Sequence, residues 1–137
     1  MLTETERHFC EPVNGHGLAH DPLNAIIAPR PIGWVSSSGQ NGTMNLAPYS
    51  FFNAFNYKPP IIGFSSIGPK DSLRNVSETR EFVWKLATRD LAESMNETSA
   101  SAPYGIDEFE LANLTPAASR IVSVLRVAES PLISSAR

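Results

Sequence analysis

The loop SSIGPKDS, residues 65–72, contains the residue types that bind a phosphate group. Its serines, Ser65, Ser66 and Ser72, offer hydroxyl donors, and Lys70 offers a positive charge. A predicted helix follows, and the free N–H groups and macrodipole of a helix N-terminus favour an anion. Ordinary helix capping beside a solvated lysine is the alternative, and composition by itself favours that alternative.

A second group of residues suits a flat aromatic ligand. The segment WVSSSGQNGTMNLAPYS, residues 34–50, joins small residues to aromatic ones around a tight turn. Small residues such as Ala47 let a planar ligand approach the backbone, and Trp34, Tyr49 and Phe51 could supply apolar walls. Alternatively, these aromatic side chains belong to the core, which is the commoner place for any one of them.

The histidines give little support to metal or hydrolase chemistry. His8, Cys10, His16 and His20 could ligate zinc, but no structural spacing rule is met, and we predict no metal site. Since all three histidines lie near the N-terminus, a Ser-His-Asp arrangement is also not expected. A capped helix start explains Asp107, Glu108 and Glu110 better than paired acid–base catalysis does.

Chain length, net charge and cysteine count limit the class of protein. A length of 137 residues predicts one domain, which we place at residues 21–137 after a polar lead-in at residues 1–20. A net charge of -3 argues against nucleic acid, and no apolar run approaches the roughly 20 residues that span a bilayer. One cysteine and an N-terminus unlike a signal peptide lead us to expect a cytoplasmic protein.

Hydrophobic patterning predicts a mainly β protein with short helices inserted. The predicted strands are residues 29–38, 43–52, 59–66, 81–88 and 120–130, and the first two form a hairpin with Pro48 at an edge or bulge. The predicted helices are residues 21–28, capped by Asp21, one that follows a loop within residues 68–80, one at residues 89–99 and a short one within 101–113.

Three details of these elements are specific enough to test. In the helix predicted within residues 68–80, Asp71 or Ser72 is the expected cap, with Leu73 and Val76 facing inward. Asp90 and Glu93 have the spacing of a capping box. In the fourth strand, Phe82, Trp84 and Leu86 are expected on one face.

The order of elements favours an antiparallel barrel or sheet over a doubly wound fold. Neither GxGxxG nor GxxxxGK[ST] occurs, so a Rossmann or P-loop site is not indicated.

Five segments together resemble the flavin-reductase-like family of FMN-binding split-barrel proteins. They are PRPIGWVSS, GTMNLAPYSFFNAF, PPIIGFSS, KDSLRNVSETREFVWKLA and YGIDEFELANLTP, and they run in the family's order over about residues 22–131. The resemblance implies an antiparallel split β-barrel of six strands, usually a homodimer, that holds FMN near the subunit interface.

The resemblance also implies residue roles and a reaction. Trp34, Val35, Ser36 and Ser37 would lie along the flavin, and Asn45, Ala47, Pro48, Tyr49, Ser50 and Phe51 would border its ring. The phosphate end would be held by Ser65, Ser66, Lys70 and Ser72, with Asp71 as a cap that shapes the loop. Hydride would pass from NADH or NADPH to the flavin, and a partner monooxygenase is possible for such a reductase.

The chain ends sooner than the family pattern, since the five predicted strands are one short of the barrel. We therefore expect a split-barrel domain that is short at its C-terminus. Two alternatives stay open: a non-enzymatic FMN carrier, and a cofactor-free barrel acting as an interaction module.

Overall fold

The computed structural model describes residues 8–103 and 105–137, which form two compact units divided between Arg30 and Pro31. The first unit contains a 3-10 turn at Pro12–Asn14 and the helix α1 at Pro22–Ile26. Asp21 caps α1 by accepting a hydrogen bond from the Leu23 amide, as predicted. Within the described ranges, no helix has the length and apolar character needed to cross a membrane.

The second unit is mainly antiparallel β structure with short helices, as predicted. Its strands are β1 (Gly33–Ser38), β2 (Met44–Tyr49), β3 (Phe52–Asn56), β4 (Ile61–Phe64), β5 (Phe82–Lys85), β6 (Pro116–Ala117), β7 (Arg126–Val127) and β8 (Ile133–Ala136). Its helices are α2 (Asp71–Thr79), α3 (Ala92–Glu97), which follows a 3-10 turn at Arg89–Leu91, and α4 (Glu108–Leu111).

Four strands form an open antiparallel sheet in the order β2-β1-β5-β8. The predicted hairpin is confirmed, because β1 and β2 pair from Gly33 opposite Tyr49 to Ser38 opposite Met44. Pro48 lies in β2, at the edge of this sheet, where a residue without an N–H group disturbs no ladder.

The ribbon of β3 and β4 packs on the sheet through aromatic rings. Phe52 stacks on Trp84 with centroids 5.5 Å apart, and Phe64 contacts both Tyr49 and Phe82. Gly33 lies directly beneath Phe52, where an added Cβ atom would come within 2.5 Å of the ring. Glycine at this position therefore allows the ring to approach the backbone of the central strand.

The hydrophobic core lies on the other side of β1. Its main cluster contains the buried residues Trp34, Leu46, Phe109, Ala112, Leu114 and Val127. A second cluster contains Val83, Val122 and Val124. The two clusters hold α4 and the C-terminal loops against the sheet by burying apolar surface.

Helix α2 corrects one sequence prediction. Lys70 occupies the N-cap, not Asp71 or Ser72, and its side chain makes no capping hydrogen bond. Leu73 is 44% exposed, so its predicted inward position is wrong, whereas Val76 is half-buried and its predicted position holds in part. The buried residues of α2 are the polar Ser72 and Asn75, because polar partners on the β1–β2 hairpin receive them.

Other elements also differ from the sequence predictions. Only Arg126–Val127 of the predicted strand 120–130 is a strand, because Ser119 and Ser123 tie this region into loops. The capping box at Asp90 does not form, since Thr88 and Leu91 occupy the N-caps. In β5, Leu86 is 42% exposed and lies beyond the strand.

The strand β8 was not predicted. Its sequence, ISSA, carries only one large apolar residue, yet it pairs with β5 from Phe82 opposite Ala136 to Lys85 opposite Ile133. The predicted single segment 43–52 is also divided, because β2 ends at Tyr49 and β3 begins at Phe52.

Lys85 is fully buried at the end of β5. Its neighbours in register are Trp34 and Ile133, and its Nζ donates a hydrogen bond to the Val83 carbonyl at 2.9 Å. Burial holds the pKa of Lys85 well below its usual value, because a charged ammonium group is costly in an apolar environment.

We predict that Lys85→Met raises the free energy of unfolding by about 1–3 kcal/mol at pH 7. In the unfolded chain Lys85 stays protonated until the pH reaches the ordinary pKa of lysine, whereas in the folded chain it loses its proton at a lower pH. Wild-type stability therefore gains with rising pH, and the advantage of Lys85→Met shrinks as the pH approaches about 10. Urea unfolding at pH 7 and pH 9.5 measures the difference in unfolding free energy between Lys85→Met and wild type. Lys58→Met, a change at an exposed lysine, is the control. A gap that is zero or constant contradicts the prediction.

Candidate functional site

A cavity of about 280 Å³ opens beside the outer edge of β2. Its walls come from three segments of the chain and one helical residue. They are Asn45, Ala47, Pro48 and Tyr49 of β2, residues 69–72 at the start of α2, residues 98–102 after α3, and Glu108 of α4.

The N-terminus of α2 forms one wall of this cavity. The helix begins at Asp71 and is nine residues long. Because Lys70 caps it through its backbone conformation alone, the amide groups of the first turn are not engaged by the N-cap side chain. Lys70 Nζ lies 6.0 Å from the centroid of the Tyr49 ring, so a positive charge and a helix N-terminus meet at one place.

Arg74 partly compensates the negative charge of Asp71 at this place. The Asp71 carboxylate forms an ion pair with Arg74 on the same helix, with Nη2 and Oδ1 2.9 Å apart. Asp71 is not the cap that the sequence interpretation made it, because Lys70 occupies the N-cap and the Asp71 carboxylate pairs with Arg74.

Two side-chain hydrogen bonds fasten α2 to the hairpin, and we call these four residues the polar clasp. Asn45 Nδ2 donates to Ser72 Oγ at 2.7 Å, and Asn75 Nδ2 donates to Ser37 Oγ at 3.3 Å. Ser37 and Asn45 are direct partners across β1 and β2, while Ser72 and Asn75 are three residues apart on α2. The clasp therefore joins one rung of the hairpin to one face of the helix.

The Tyr49 hydroxyl is a buried polar atom that needs a partner. Tyr49 is 6% exposed, and its hydroxyl makes no hydrogen bond of normal geometry within the described residues. Burial raises the pKa of Tyr49, while the nearby Ser72 and Ser66 side chains oppose that rise. A buried hydroxyl that its neighbours satisfy poorly can bind a polar group that enters the cavity.

Glu108 places a carboxyl group in the same cavity. It is 7% exposed, and its Oε2 accepts a hydrogen bond from the Leu46 amide at 3.0 Å. Burial raises the pKa of Glu108, the hydrogen bond from Leu46 opposes this, and the negative charge of Asp71 adds to the rise. Glu108 therefore covers an amide on the edge strand β2. Its carboxyl group favours the protonated form more than the carboxyl group of an exposed glutamate does.

The structure brings six of the predicted site residues to the cavity. They are Asn45, Ala47, Pro48, Tyr49, Lys70 and Ser72. Thus part of the predicted phosphate loop and part of the segment predicted to border the ring line one cavity.

The other predicted residues do not line the cavity. Ser50, Phe51, Ser65 and Ser66 follow β2 and β4 just outside it, with the Ser65 amide bonded to the Phe51 carbonyl. Trp34, Val35, Ser36 and Ser37 are buried in β1, whose central position engages its backbone on both sides. Flavin contacts by these eight residues stay a prediction.

Trp34 nevertheless contacts a residue of the cavity wall from the core side. Its Nε1 donates to Thr98 Oγ1 at 3.0 Å, and Thr98 Oγ1 donates to the Met95 carbonyl at 2.7 Å. These bonds fix the start of the small-residue loop 98–102 that forms the outer wall.

Sequence reasoning missed this loop and the role of Glu108. The run TSASA between α3 and a proline was a usable signal, because consecutive small residues leave space for a ligand. Glu108 was assigned to a helix start, which is correct for Asp107, whose Oδ1 accepts from the Phe109 amide. The bond from Glu108 to Leu46 spans 62 residues and leaves no local signal.

The histidine group gains no structural support as a metal site. Among residues 8–103 and 105–137, no three His, Cys, Asp or Glu side chains come together in a way that could hold a metal ion.

Comparison with known proteins decides the family. The model of the flavin reductase like domain matches residues 27–137. The chain belongs to this family. An uncharacterised protein of Aquifex aeolicus is 39% identical over 110 residues, which cover 77% of this chain and 56% of that protein. The chain spans about half the length of the curated relatives it matches.

Solved structures agree with the flavin reductase like assignment. Nitrilotriacetate monooxygenase component B from Bacillus cereus is 32% identical, with a TM-score of 0.76, and the match covers 98% of this chain and 65% of that one. A Shewanella frigidimarina protein with a split barrel domain is 24% identical, with a TM-score of 0.73 over 77% of this chain and 54% of that one. The predicted split-barrel fold is therefore confirmed, with a sheet that the described strands leave open.

The polar clasp should contribute measurably to stability. In a double-mutant cycle on Asn45→Ala and Ser72→Ala, we expect a coupling energy of about 1 kcal/mol, because each change alone leaves a buried partner unsatisfied. Urea unfolding of the four proteins measures it. Ser77→Ala, on the exposed face of α2, should change stability by less than about 0.5 kcal/mol. If the two substitutions change the free energy of unfolding additively, the contact between Asn45 and Ser72 does not hold the helix.

Proposed function

We propose that this chain is an FMN-binding oxidoreductase of the flavin-reductase type, which transfers hydride from NADH or NADPH to the flavin. One observation carries the proposal: a single cavity joins the N-terminus of α2 and Lys70 to the outer edge of β2. A ligand with an anionic tail and a planar polar ring fits such a combination. Family membership supports the same ligand class.

The α2 end of the cavity suits the phosphate of FMN. Lys70 supplies positive charge, and the first-turn amides of α2 supply N–H donors. Ser72 Oγ accepts its hydrogen bond from Asn45, which leaves the Ser72 hydroxyl hydrogen available to donate. These groups complement an anion, and the ion pair of Asp71 with Arg74 reduces the repulsion that Asp71 would exert.

The β2 end suits the ring. Since the Leu46 amide points to Glu108 and not to β1, strand alternation directs the Pro48 backbone to the same outer edge. The Pro48 carbonyl can then accept from a ring N–H, while Ala47, Ala100 and Ala102 leave room for a flat ligand. The volume of about 280 Å³ is just below the usual range of about 300–1,000 Å³ for small-molecule sites. Part of FMN would therefore lie outside the cavity, open to a nicotinamide.

The roles of the side chains follow from this placement. Bound FMN would supply the redox chemistry by accepting a hydride from the reduced nicotinamide. Lys70 and Ser72 bind the tail, Asn45 orients Ser72, and the loop 98–102 limits water on one side. No acid or base of the chain is required for hydride transfer itself, which agrees with the absence of a nucleophile–base pair from the sequence motifs.

The proposal extends to partners. We propose a homodimer, because Phe55 and Tyr57 on the β3–β4 ribbon and its turn are 70% and 83% exposed and would be covered by a second copy. Supply of reduced flavin to a separate monooxygenase is supported by the similarity to a monooxygenase component. Sedimentation analysis tests the dimer.

Lys70→Ala should weaken FMN binding by about 1–3 kcal/mol, because a charge-assisted contact with the phosphate is lost. Quenching of flavin fluorescence during titration with protein measures the affinity. Riboflavin, which lacks the phosphate, should bind both proteins equally. Lys58→Ala removes an exposed lysine outside the cavity and should leave FMN affinity unchanged. Equal losses for Lys70→Ala and Lys58→Ala would indicate general electrostatics and not a phosphate site.

Turnover separates the reductase from the carrier alternative. Oxidation of NADH or NADPH, followed at 340 nm, should depend on added FMN and should fall in Lys70→Ala at subsaturating FMN. FMN binding without nicotinamide oxidation supports the carrier instead. A protein that neither binds FMN nor can be reconstituted with it removes both and leaves the interaction module.

A further inference from the structure

Glu108 has a role in the cavity that the phosphate and ring contacts do not use. Its carboxyl group is almost fully buried, lies in the same wall system as Lys70 and Ser72, and holds the Leu46 amide at 3.0 Å. A glutamine would cover that amide equally well through its carbonyl oxygen. The hydrogen bond to Leu46 does not require a titratable group. The carboxyl group of Glu108 therefore places an additional titratable charge inside the cavity that we propose binds an anion.

Ionisable residues surround Glu108 on the helices and the strand that pack against it. Lys70 and Asp71 face the cavity from the start of α2, and Tyr49 faces it from β2. Asp107 and Glu110 belong to the helix region of Glu108 itself. The loop 98–102 contributes no ionisable residue to the wall.

We propose that Glu108 is a proton-linked specificity residue: the cavity accepts the phosphate-bearing flavin with Glu108 protonated, so FMN binding takes up a proton. This inference rests on the proposed function. A dianionic phosphate and a carboxylate in one cavity repel each other, and protonation of Glu108 removes that repulsion while its carbonyl oxygen still accepts from Leu46. The protonated carboxyl group also gains an O–H donor.

The direction of the effect follows from linkage. Burial already raises the pKa of Glu108 without a ligand, and Asp71 raises it further. A bound phosphate adds negative charge and raises the pKa again. Because the complex then binds more protons than the free protein, FMN affinity falls as the pH rises. The Tyr49 hydroxyl, which makes no hydrogen bond of normal geometry although Ser72 and Ser66 lie near it, also fits a cavity that takes a polar ligand.

The test compares Glu108→Gln with wild type and with Glu110→Gln, an exposed change of the same charge on the same helix. FMN affinity is measured from pH 5.5 to pH 8. We expect Glu108→Gln to bind FMN about tenfold more tightly than wild type at pH 8 and within about twofold at pH 5.5, because repulsion between the phosphate and the Glu108 carboxylate grows as the pH rises. Glu110→Gln should follow wild type. The titration of the FMN phosphate is common to all three proteins and cancels in the ratios.

A second measurement needs no variant. Calorimetric titration of wild type with FMN at pH 7.5, in two buffers of different ionisation enthalpy, should show net proton uptake, whereas riboflavin should show much less. Parallel affinity profiles for Glu108→Gln and wild type, or no proton uptake, overturn the inference and leave the FMN site standing. Failure of wild type to bind FMN at any pH overturns the proposed function and this inference with it.

Discussion

The site depends on the polar clasp that docks α2 on the hairpin. Asn45 with Ser72 and Ser37 with Asn75 connect a single rung of the β1–β2 pair to the buried face of the helix. Buried amide and hydroxyl groups are costly unless paired, so this face fits few other positions on the protein. The consequence is that the N-terminus of α2 and Lys70 share a cavity wall with β2.

The sequence predicted the local features of this arrangement well and the long-range ones poorly. The hairpin, the edge position of Pro48, the cap at Asp21 and the loop before α2 follow from turn and strand preferences of neighbouring residues. The inward face of α2 was wrong because the apolar Leu73 was expected inside, whereas the hairpin offered partners to polar Ser72 and Asn75. Glu108 was missed for the same reason, since its partner Leu46 is distant in sequence.

Charge is arranged unevenly around the cavity. Lys70 and the helix amides form a positive wall, Asp71 is directed to Arg74, and Glu108 lies buried opposite the β2 edge. Such a site can distinguish a ligand with an anionic tail from one without it. The segment around Tyr49 contributes to both the protein interior and the cavity wall: Leu46 is buried away from the cavity, Ala47 and Pro48 line it, and Tyr49 is buried while also lining it.

A crystal structure of the chain with bound FMN would locate the ligand. We expect electron density for the phosphate within hydrogen-bond distance of Lys70, Ser72 and the first-turn amides of α2, with the ring along the outer edge of β2 at Pro48. Density for FMN at any other surface, with the α2 N-terminus and Lys70 free of the phosphate, would contradict it.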